Sequence, residues 1–236
     1  SGWIKTLFNT ILVLVFIYIT VNIILRWLVC GHVPLSNGFE TMQFLSWSSC
    51  LLTLIMLRRF VMALPFGLLL CGLAMMVSVM GESNPQITQL MPVLQSPLLS
   101  IHVVFVMVAY SLLGFIMLNG VTAVILRYTS SLKDEIEYLY IVSRLMLYPA
   151  VFSMAIGIFI GAVWANVSWG RYWGWDPKEV WALVTMLIYS FLFHVVSMPK
   201  FRNVMFFHWY SIIAFLSVII TYFGVNFFLG GLHSYA

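Results

Sequence analysis

The sequence predicts an all-α membrane protein with about seven transmembrane helices and one tryptophan-rich loop outside the membrane. Two observations lead to this prediction. Of the 236 residues, 63% are hydrophobic and only 8% are charged, a composition that excludes a soluble globular domain. The apolar residues also fall into runs of about 20, the length that a helix needs to cross a bilayer. We expect one transmembrane domain over residues 1–236.

Seven apolar segments can be drawn along the chain, each close to spanning length. They cover residues 4–29, 41–57, 60–80, 99–126, 145–165, 178–198 and 203–229. The first is too long for a cleavable signal peptide and has no clear small-residue cleavage site. Between the fourth and fifth segments, residues 130–137 are interpreted as a solvated loop, with a capped amphipathic segment as the alternative.

The basic residues predict the orientation of these segments, because cytoplasmic loops of membrane proteins carry an excess of Lys and Arg. A cytoplasmic N-terminus places most of the 11 basic residues inside: Lys5, Arg58, Arg59, Arg127, Lys133, Arg144, Lys200 and Arg202. Only Arg26, Arg171 and Lys178 then lie outside. Topology thus accounts for the net charge of +4, and no nucleic acid or other acidic partner is predicted.

The three cysteines exclude two classes of redox protein. The sequence contains no CxxC pair and no CxxCH motif, so it predicts neither a thiol-disulfide oxidoreductase nor a c-type cytochrome. Cys50 and Cys71 fall within apolar runs and are predicted to be packed, unreactive thiols.

The most unusual stretch is residues 164–181, WANVSWGRYWGWDPKEVW, which holds five of the nine tryptophans. Glycines separate Trp169, Trp173 and Trp175, so large flat rings lie on a backbone that can turn sharply. An aromatic belt at the membrane interface is the structural alternative. This density of rings in a short polar loop instead favours a surface against which a flat apolar molecule is laid.

The loop ends in a strong helix-start signal, Asp176-Pro177-Lys178-Glu179. Asp is a good N-cap, Pro suits the first helical position, and Glu at the third position can close a capping box. We therefore predict a helix from residue 177 and expect Asp176 chiefly to cap it.

Topology divides the five histidines into two groups. His32, His102 and His233 are predicted on the external side, and His194 and His208 inside spans towards the cytoplasm. An ionisable residue inside a span is a functional candidate, although a neutral imidazole bonded to a carbonyl of a neighbouring helix is the structural alternative. That alternative is kept open for His194 and favoured for His208, and His32 is interpreted as structural.

Two external imidazoles flanking an aromatic surface suit a six-coordinate iron porphyrin, since they supply axial nitrogen ligands above and below the ring. His102 and His233 fit this description.

The segment WGRYWGWD, beginning at Trp169 and continued by PKEVWAL, resembles the tryptophan-rich "WWD" signature of heme-handling membrane proteins. The continuation is most similar to the CcsA/ResC component of the system II cytochrome c synthase, which also occurs fused to its partner CcsB. The resemblance extends from about Gly31 to the end of the chain.

The resemblance implies a set of site residues for heme b, as substrate and cofactor. His102 and His233 match the external iron ligands, and His194 matches one ligand of a second, inner heme site whose other histidine belongs to a CcsB/ResB-type partner. The heme-binding segment, residues 164–181, contains Trp164, Trp169, Trp173, Trp175 and Asp176. Apart from the resemblance, one or both of the external cations Arg171 and Lys178 are expected to pair with the heme propionates, with plain surface charges as the alternative.

The activity implied by the resemblance is that of a holocytochrome c synthase (heme lyase) component. It would export heme and present it for thioether attachment to the CxxCH motif of an apocytochrome c. We expect a multi-pass protein of the bacterial inner (plasma) membrane with the tryptophan loop in the periplasm, in preference to a thylakoid protein. Two other classes stay open: a diheme b-type electron-transfer subunit, and a transporter or scaffold without heme.

Overall fold

The computed structural model describes residues 2–60, 62–81, 92–129, 132–194 and 197–229. Across these ranges the chain is helical and contains no β-strand. The fold class predicted from the sequence, an all-α polytopic membrane protein, is confirmed.

Seven α-helices account for most of the described chain. They are α1 (Gly2–Cys30), α2 (Gly38–Met56), α3 (Ala63–Gly81), α4 (Pro97–Thr129), α5 (Lys133–Trp169), α6 (Pro177–Ser190) and α7 (Val204–Ile219). Short 3-10 helices lie at Pro92–Gln95, Phe191–Phe193 and Pro199–Arg202. A π-helical turn, Ile220–Gly224, and a last α-helical turn, Val225–Phe228, extend α7.

Five of the described helices are long and apolar enough to cross a membrane: α1, α3, α4, α5, and α7 with its π turn. The predicted count of seven spans is not confirmed, because α2 and α6 do not meet both conditions. Helix α6 has 14 residues, so at about 1.5 Å per residue it is about 21 Å long. The hydrocarbon core of a bilayer is roughly 30 Å thick.

Helix α5 corrects the interpretation of residues 130–137 as a loop over residues 133–137, whereas residues 130 and 131 lie outside the described residues. It begins at Lys133 and has 37 residues, so it is much longer than the predicted span 145–165. Asp134 and Glu135 lie in its first turn, where negative side chains interact favourably with the exposed N–H groups and the helix dipole. Hydropathy alone missed this polar end, although its charge pattern is that of a helix start.

The described chain divides into two compact units, residues 1–111 and residues 112–236. The expectation of one transmembrane domain stays a prediction. In the first unit, Leu12 and Ile19 of α1 pack with Cys50 of α2 and Cys71 of α3. These two thiols are 0% and 3% exposed, in agreement with the prediction that they are packed in the core.

Polar bonds also join the helices of the first unit. The indole N–H of Trp47 donates to Thr20 Oγ1 at 2.9 Å, and Ser46 Oγ donates to the carbonyl of Cys71 at 3.2 Å. Such bonds satisfy groups that would find no water in the apolar phase.

A buried ion pair fixes the connection between α1 and α2. Arg26 Nε lies 2.6 Å from Glu40 Oε1, and the two side chains are 15% and 2% exposed. The other carboxylate oxygen accepts bonds from the backbone N–H of Ser36 at 2.8 Å and from its hydroxyl at 2.6 Å. Asn37 Oδ1 caps α2 by accepting from the N–H of Glu40 at 2.9 Å. Glu40 therefore holds the whole loop 31–37 against both helices.

Close contact between α2 and α3 leads to a first prediction. A Cβ added at Gly67 would lie 2.7 Å from Cβ of Thr53 on α2, which is too close for either helix to keep its position. We expect Gly67→Ala to destabilise the protein by about 1–3 kcal/mol, the usual cost of overpacking. Thermal unfolding of purified protein in detergent measures this change.

Gly72 on the same helix is the matched control, because an added Cβ there meets nothing within 4 Å. We expect Gly72→Ala to be neutral or slightly stabilising, since alanine favours the helix by about 1 kcal/mol over glycine. Equal unfolding temperatures for the two variants would contradict the close packing of α2 on α3.

In the second unit, side-chain bonds between helices again replace water. The amide of Asn119 on α4 donates to Ser143 Oγ on α5 at 2.9 Å, and Thr185 on α6 bonds Thr221 at 2.9 Å. The hydroxyl of Tyr210 on α7 donates to the carbonyl of Ile188 on α6 at 2.8 Å. The bonds of Thr185 and Ile188 fix α6 on α7 and its π turn. Helix α6 directly follows the tryptophan loop.

Candidate functional site

The tryptophan loop starts where α5 ends. Gly170 has φ of +72° and its N–H bonds the carbonyl of Asn166 at 2.9 Å, the usual left-handed termination of a helix. A residue with a side chain would be strained in that conformation, which explains the glycine. The chain then runs without regular structure to Asp176, and α6 begins at Pro177.

The tryptophans form two edge-to-face pairs with different exposure. Trp164 and Trp169 lie 4.9 Å apart at the end of α5, and Trp164 is only 2% exposed. Trp173 and Trp175 lie 6.1 Å apart in the loop at an angle of 89°, and Trp175 is 77% exposed. The first pair therefore anchors the loop, and the second presents aromatic surface to its surroundings.

The backbone at Trp175 is unusual. Its φ is +56°, and no other described residue except glycine has a positive φ. A bulky residue in this region costs of order 1–3 kcal/mol, so the surrounding contacts have to hold it there. The sequence did not predict this conformation.

The predicted helix start is confirmed in detail. Asp176 Oδ2 accepts from the N–H of Lys178 at 3.1 Å, Pro177 occupies the first turn, and Glu179 Oε2 accepts from the N–H of Asp176 at 3.3 Å. The same oxygen also accepts from the N–H of Gly174 at 2.8 Å, a bond outside the capping box that the sequence analysis missed. Asp176 is 5% exposed and its carboxylate caps α6. A role for Asp176 towards heme stays a prediction.

Two cations lie in or next to the loop. Arg171 is exposed, and its side chain runs along Gly174, where an added Cβ would lie 3.3 Å from Nε. Lys178 is half-buried at the start of α6. Burial lowers the pKa of Lys178 below its usual range, and the nearby carboxylate of Asp176 partly offsets this shift. The loop therefore combines exposed aromatic rings with positive charge.

The predicted heme ligands are not all placed in one described unit. His102 lies in the second turn of α4, within the first unit, and is half-buried. His233 lies outside the described residues. His32 is half-buried, with Nδ1 3.1 Å from the carbonyl oxygen of Val33, the neighbouring residue. The pairing of His102 with His233 stays a prediction.

His194 lies in a different setting from the one expected. The sequence analysis placed it inside a span over residues 178–198, but α6 ends at Ser190 and His194 follows a 3-10 turn with its side chain exposed. Further along, Pro199 disfavours a helical conformation at Met198, whose φ and ψ are −122° and 85°.

His208 fits the structural interpretation. It is 0% exposed, and its Nε2 lies 3.4 Å from the carbonyl oxygen of Ile136 on α5. Within the described ranges its Nδ1 has no hydrogen-bond partner. The imidazole packs edge-on against the ring of Tyr140, with centroids 6.4 Å apart. His208 thus ties α7 to α5 inside the helix packing.

The site can now be compared with known proteins. A family model described as "Cytochrome C assembly protein" matches residues 35–233, which include the whole tryptophan loop. The chain belongs to this cytochrome c assembly family. The resemblance seen in the tryptophan-rich signature is therefore confirmed at the level of the family.

Individual members of the cytochrome c assembly family match over most of the chain. NrfI of Wolinella succinogenes is 37% identical over 223 residues, which cover 92% of this chain but 25% of that protein. The cytochrome c biogenesis protein CcsA of Oenothera argillicola is 30% identical over 269 residues, covering 93% of this chain and 83% of that protein. CcsA of Prochlorococcus marinus (strain MIT 9301) is 30% identical over 262 residues, with 95% and 83% covered. The chain spans about a quarter of the length of NrfI.

Proposed function

We propose that this cytochrome c assembly protein delivers heme across the membrane and presents it for attachment to apocytochrome c. The observation that carries the proposal is the Trp173–Trp175 pair, in which Trp175 is exposed and Trp173 half-buried, in the loop of a chain that belongs to the cytochrome c assembly family. Heme b is the transported substrate, and a CcsB/ResB-type membrane component is the partner.

The chemistry of the loop fits a porphyrin. Heme is flat and largely apolar, with two propionates at one edge, so it needs aromatic contact together with cations at one side. Trp175 supplies exposed ring surface beside the half-buried Trp173, and Arg171 and Lys178 supply the positive charge. We propose that one or both cations bind the propionates.

We propose His102 and His233 as the two axial ligands of the external heme iron. The half-buried position of His102 at the start of α4 supports this role, because a ligand imidazole needs one accessible nitrogen and a fixed ring. His194 is proposed as the ligand of an inner heme. Its exposure beyond α6 leaves the ring accessible to a histidine supplied by the partner component.

The proposed reaction is thioether formation on the CxxCH segment of an apocytochrome c. Each cysteine S–H adds across one heme vinyl group, forming a carbon–sulfur bond and placing the proton on the neighbouring carbon, so no oxidant is consumed. The contribution of this chain is to hold the porphyrin with one face and edge against the loop while the peptide aligns its thiols. The histidine of the CxxCH segment would replace one of the two protein ligands on iron.

The proposal places the protein in a bacterial inner (plasma) membrane, with the N-terminus in the cytoplasm and the tryptophan loop in the periplasm. The distribution of the basic residues supports this orientation, since it would place eight of the 11 inside and three outside.

The absorption spectrum of protein purified with its partner component tests the role of the Trp173–Trp175 pair in holding heme. We expect wild type to retain heme, and we expect the double variant Trp173→Ala, Trp175→Ala to retain less, because porphyrin stacking is lost. An aromatic stack contributes about 0.5–1.5 kcal/mol beyond its buried area, so loss of two rings, about 1–3 kcal/mol, should weaken heme affinity by about 5- to 150-fold.

Trp3→Ala is the matched control for this experiment, because Trp3 is 69% exposed and lies near the start of α1. If the surface tryptophans only anchored the protein in the membrane, the loop double variant and Trp3→Ala would retain the same amount of heme. Retained heme in both variants with unchanged cytochrome c maturation would contradict the proposed function. Retained heme without any maturation activity in wild type would instead favour a membrane electron-transfer protein.

A further inference from the structure

One carboxylate oxygen accounts for the unusual backbone at Trp175. Glu179 Oε2 accepts from the N–H of Gly174 at 2.8 Å and from the N–H of Asp176 at 3.3 Å. These are the residues immediately before and after Trp175. Two N–H groups separated by one residue can reach the same oxygen only if the chain between them curls, and φ of +56° at Trp175 is that curl.

Glu179 is well placed to hold this geometry. It lies in the first turn of α6, which is fixed by the Asp176 cap and by Pro177. Two further bonds hold α6 within the second unit: one joins Thr185 and Thr221, and Tyr210 donates the other to the carbonyl of Ile188. The carboxylate is therefore attached to a rigid element, whereas the residues that it bonds belong to the loop.

The bond to Gly174 separates this role from ordinary capping. Within a capping box, Glu179 has to accept only one bond, from the N–H of the cap residue, which is Asp176 here. The shorter bond, at 2.8 Å, goes instead to Gly174, two residues before the cap. It adds nothing to the hydrogen bonding of α6, but it closes the loop around Trp175.

We propose that Glu179 is a positioning residue: its Oε2 holds the two peptide groups around Trp175 and thereby presents the exposed indole ring. The importance of that ring rests on the proposed function, in which Trp175 contacts heme. The proposal requires only one acceptor oxygen, so the side-chain oxygen of glutamine can replace the carboxylate, whereas alanine cannot.

The experiment compares wild type with Glu179→Ala and Glu179→Gln, each as the full chain with its partner component. Hydrogen exchange followed by mass spectrometry on peptides covering residues 170–177 reports the Gly174 and Asp176 amides. We expect exchange there to be about tenfold faster in Glu179→Ala, as for loss of a hydrogen bond to a charged group. Glu179→Gln should exchange nearly as slowly as wild type.

A fluorine-labelled tryptophan at position 175 reports the ring itself by ¹⁹F NMR. We expect one sharp resonance in wild type and Glu179→Gln, and a shifted or broadened resonance in Glu179→Ala. Slow exchange of the amides in the later turns of α6 checks that each variant is folded.

Wild-type exchange and an unchanged resonance in Glu179→Ala would overturn the proposal. Equal effects of the alanine and glutamine variants would also overturn it, because one acceptor oxygen would then not be enough. Neither readout requires heme. If wild type lacks heme, the proposed function fails. The two measurements still decide in that case whether Glu179 positions Trp175.

Discussion

Alanine at His102 or at His233 is expected to abolish cytochrome c maturation and to change the spectrum of the bound heme. Each substitution would remove one axial nitrogen from the proposed external iron. Loss of a residue that only supports a metal ligand already costs about 10- to 100-fold in metal affinity or activity, so loss of a ligand should cost at least as much. Heme-stained cytochrome c in cells that depend on this protein, together with the reduced spectrum of purified protein, measures both effects.

The control for this experiment is His32→Ala. His32 is half-buried in the loop after α1, and its Nδ1 lies close to the carbonyl of Val33, which suits a local structural role. We expect it to keep normal maturation and a normal spectrum. Imidazole added to the medium should partly restore the spectrum of His102→Ala, because free imidazole can occupy the vacated ligand position. Normal spectra and activity in both ligand variants would show that the assignment is wrong.

Glu40→Ala is expected to have the largest effect on stability. The substitution leaves the guanidinium of Arg26 without its partner while the arginine side chain is only 15% exposed. Breaking a buried ion pair by removing one partner costs about 3–5 kcal/mol. The N–H and hydroxyl of Ser36 would also lose their acceptor. Thermal unfolding in detergent measures the loss, and limited proteolysis within residues 31–37 shows whether the loop opens.

The double variant Arg26→Leu, Glu40→Leu separates the contribution of the ion pair to stability from that of the bonds between Glu40 and Ser36. Replacing both partners by apolar side chains of similar size is often neutral or stabilising. We expect it to regain much of the lost stability, but not all of it, because Ser36 still lacks its acceptor. A single variant Glu40→Ala that unfolds at the wild-type temperature would contradict this account of the loop.

The comparison between sequence and structure shows which features depend on neighbours in the chain. The start of α6 was predicted residue by residue, because a capping box and an N-terminal proline act within four positions. The burial of Cys50 and Cys71 was predicted for a similar reason, since both lie in apolar runs. His208 was favoured as a structural histidine, and its bond to a carbonyl of α5 agrees with that interpretation.

Features that depend on distant or competing contacts were missed. Trp175 would prefer a negative φ in isolation, and in the structure Glu179 bonds the N–H groups of the residues on either side of it. A signal was present, because the glutamate of the capping box lies five residues after Gly174, within reach of it. His194 was misplaced because hydropathy continues past Ser190, where the helix ends. The pairing of heme ligands depends on tertiary arrangement, which sequence spacing does not fix.

The length of α5 has a consequence for where the protein meets water. Its 37 residues measure about 55 Å at about 1.5 Å per residue. Even at the largest usual tilt of about 40° it would cover about 42 Å along the membrane normal, against a hydrocarbon core of about 30 Å. About ten residues therefore extend beyond the core.

The charged residues Lys133, Asp134 and Glu135 are exposed and lie at one end of α5, which identifies that end as the protruding one. Ile136 belongs to the same end, and its carbonyl lies 3.4 Å from the imidazole of His208. The contact between these two residues therefore lies directly beside the charged residues of α5. The opposite end of α5 carries the pair Trp164 and Trp169, so this one helix, which contains Pro149, joins the charged end to the start of the tryptophan loop.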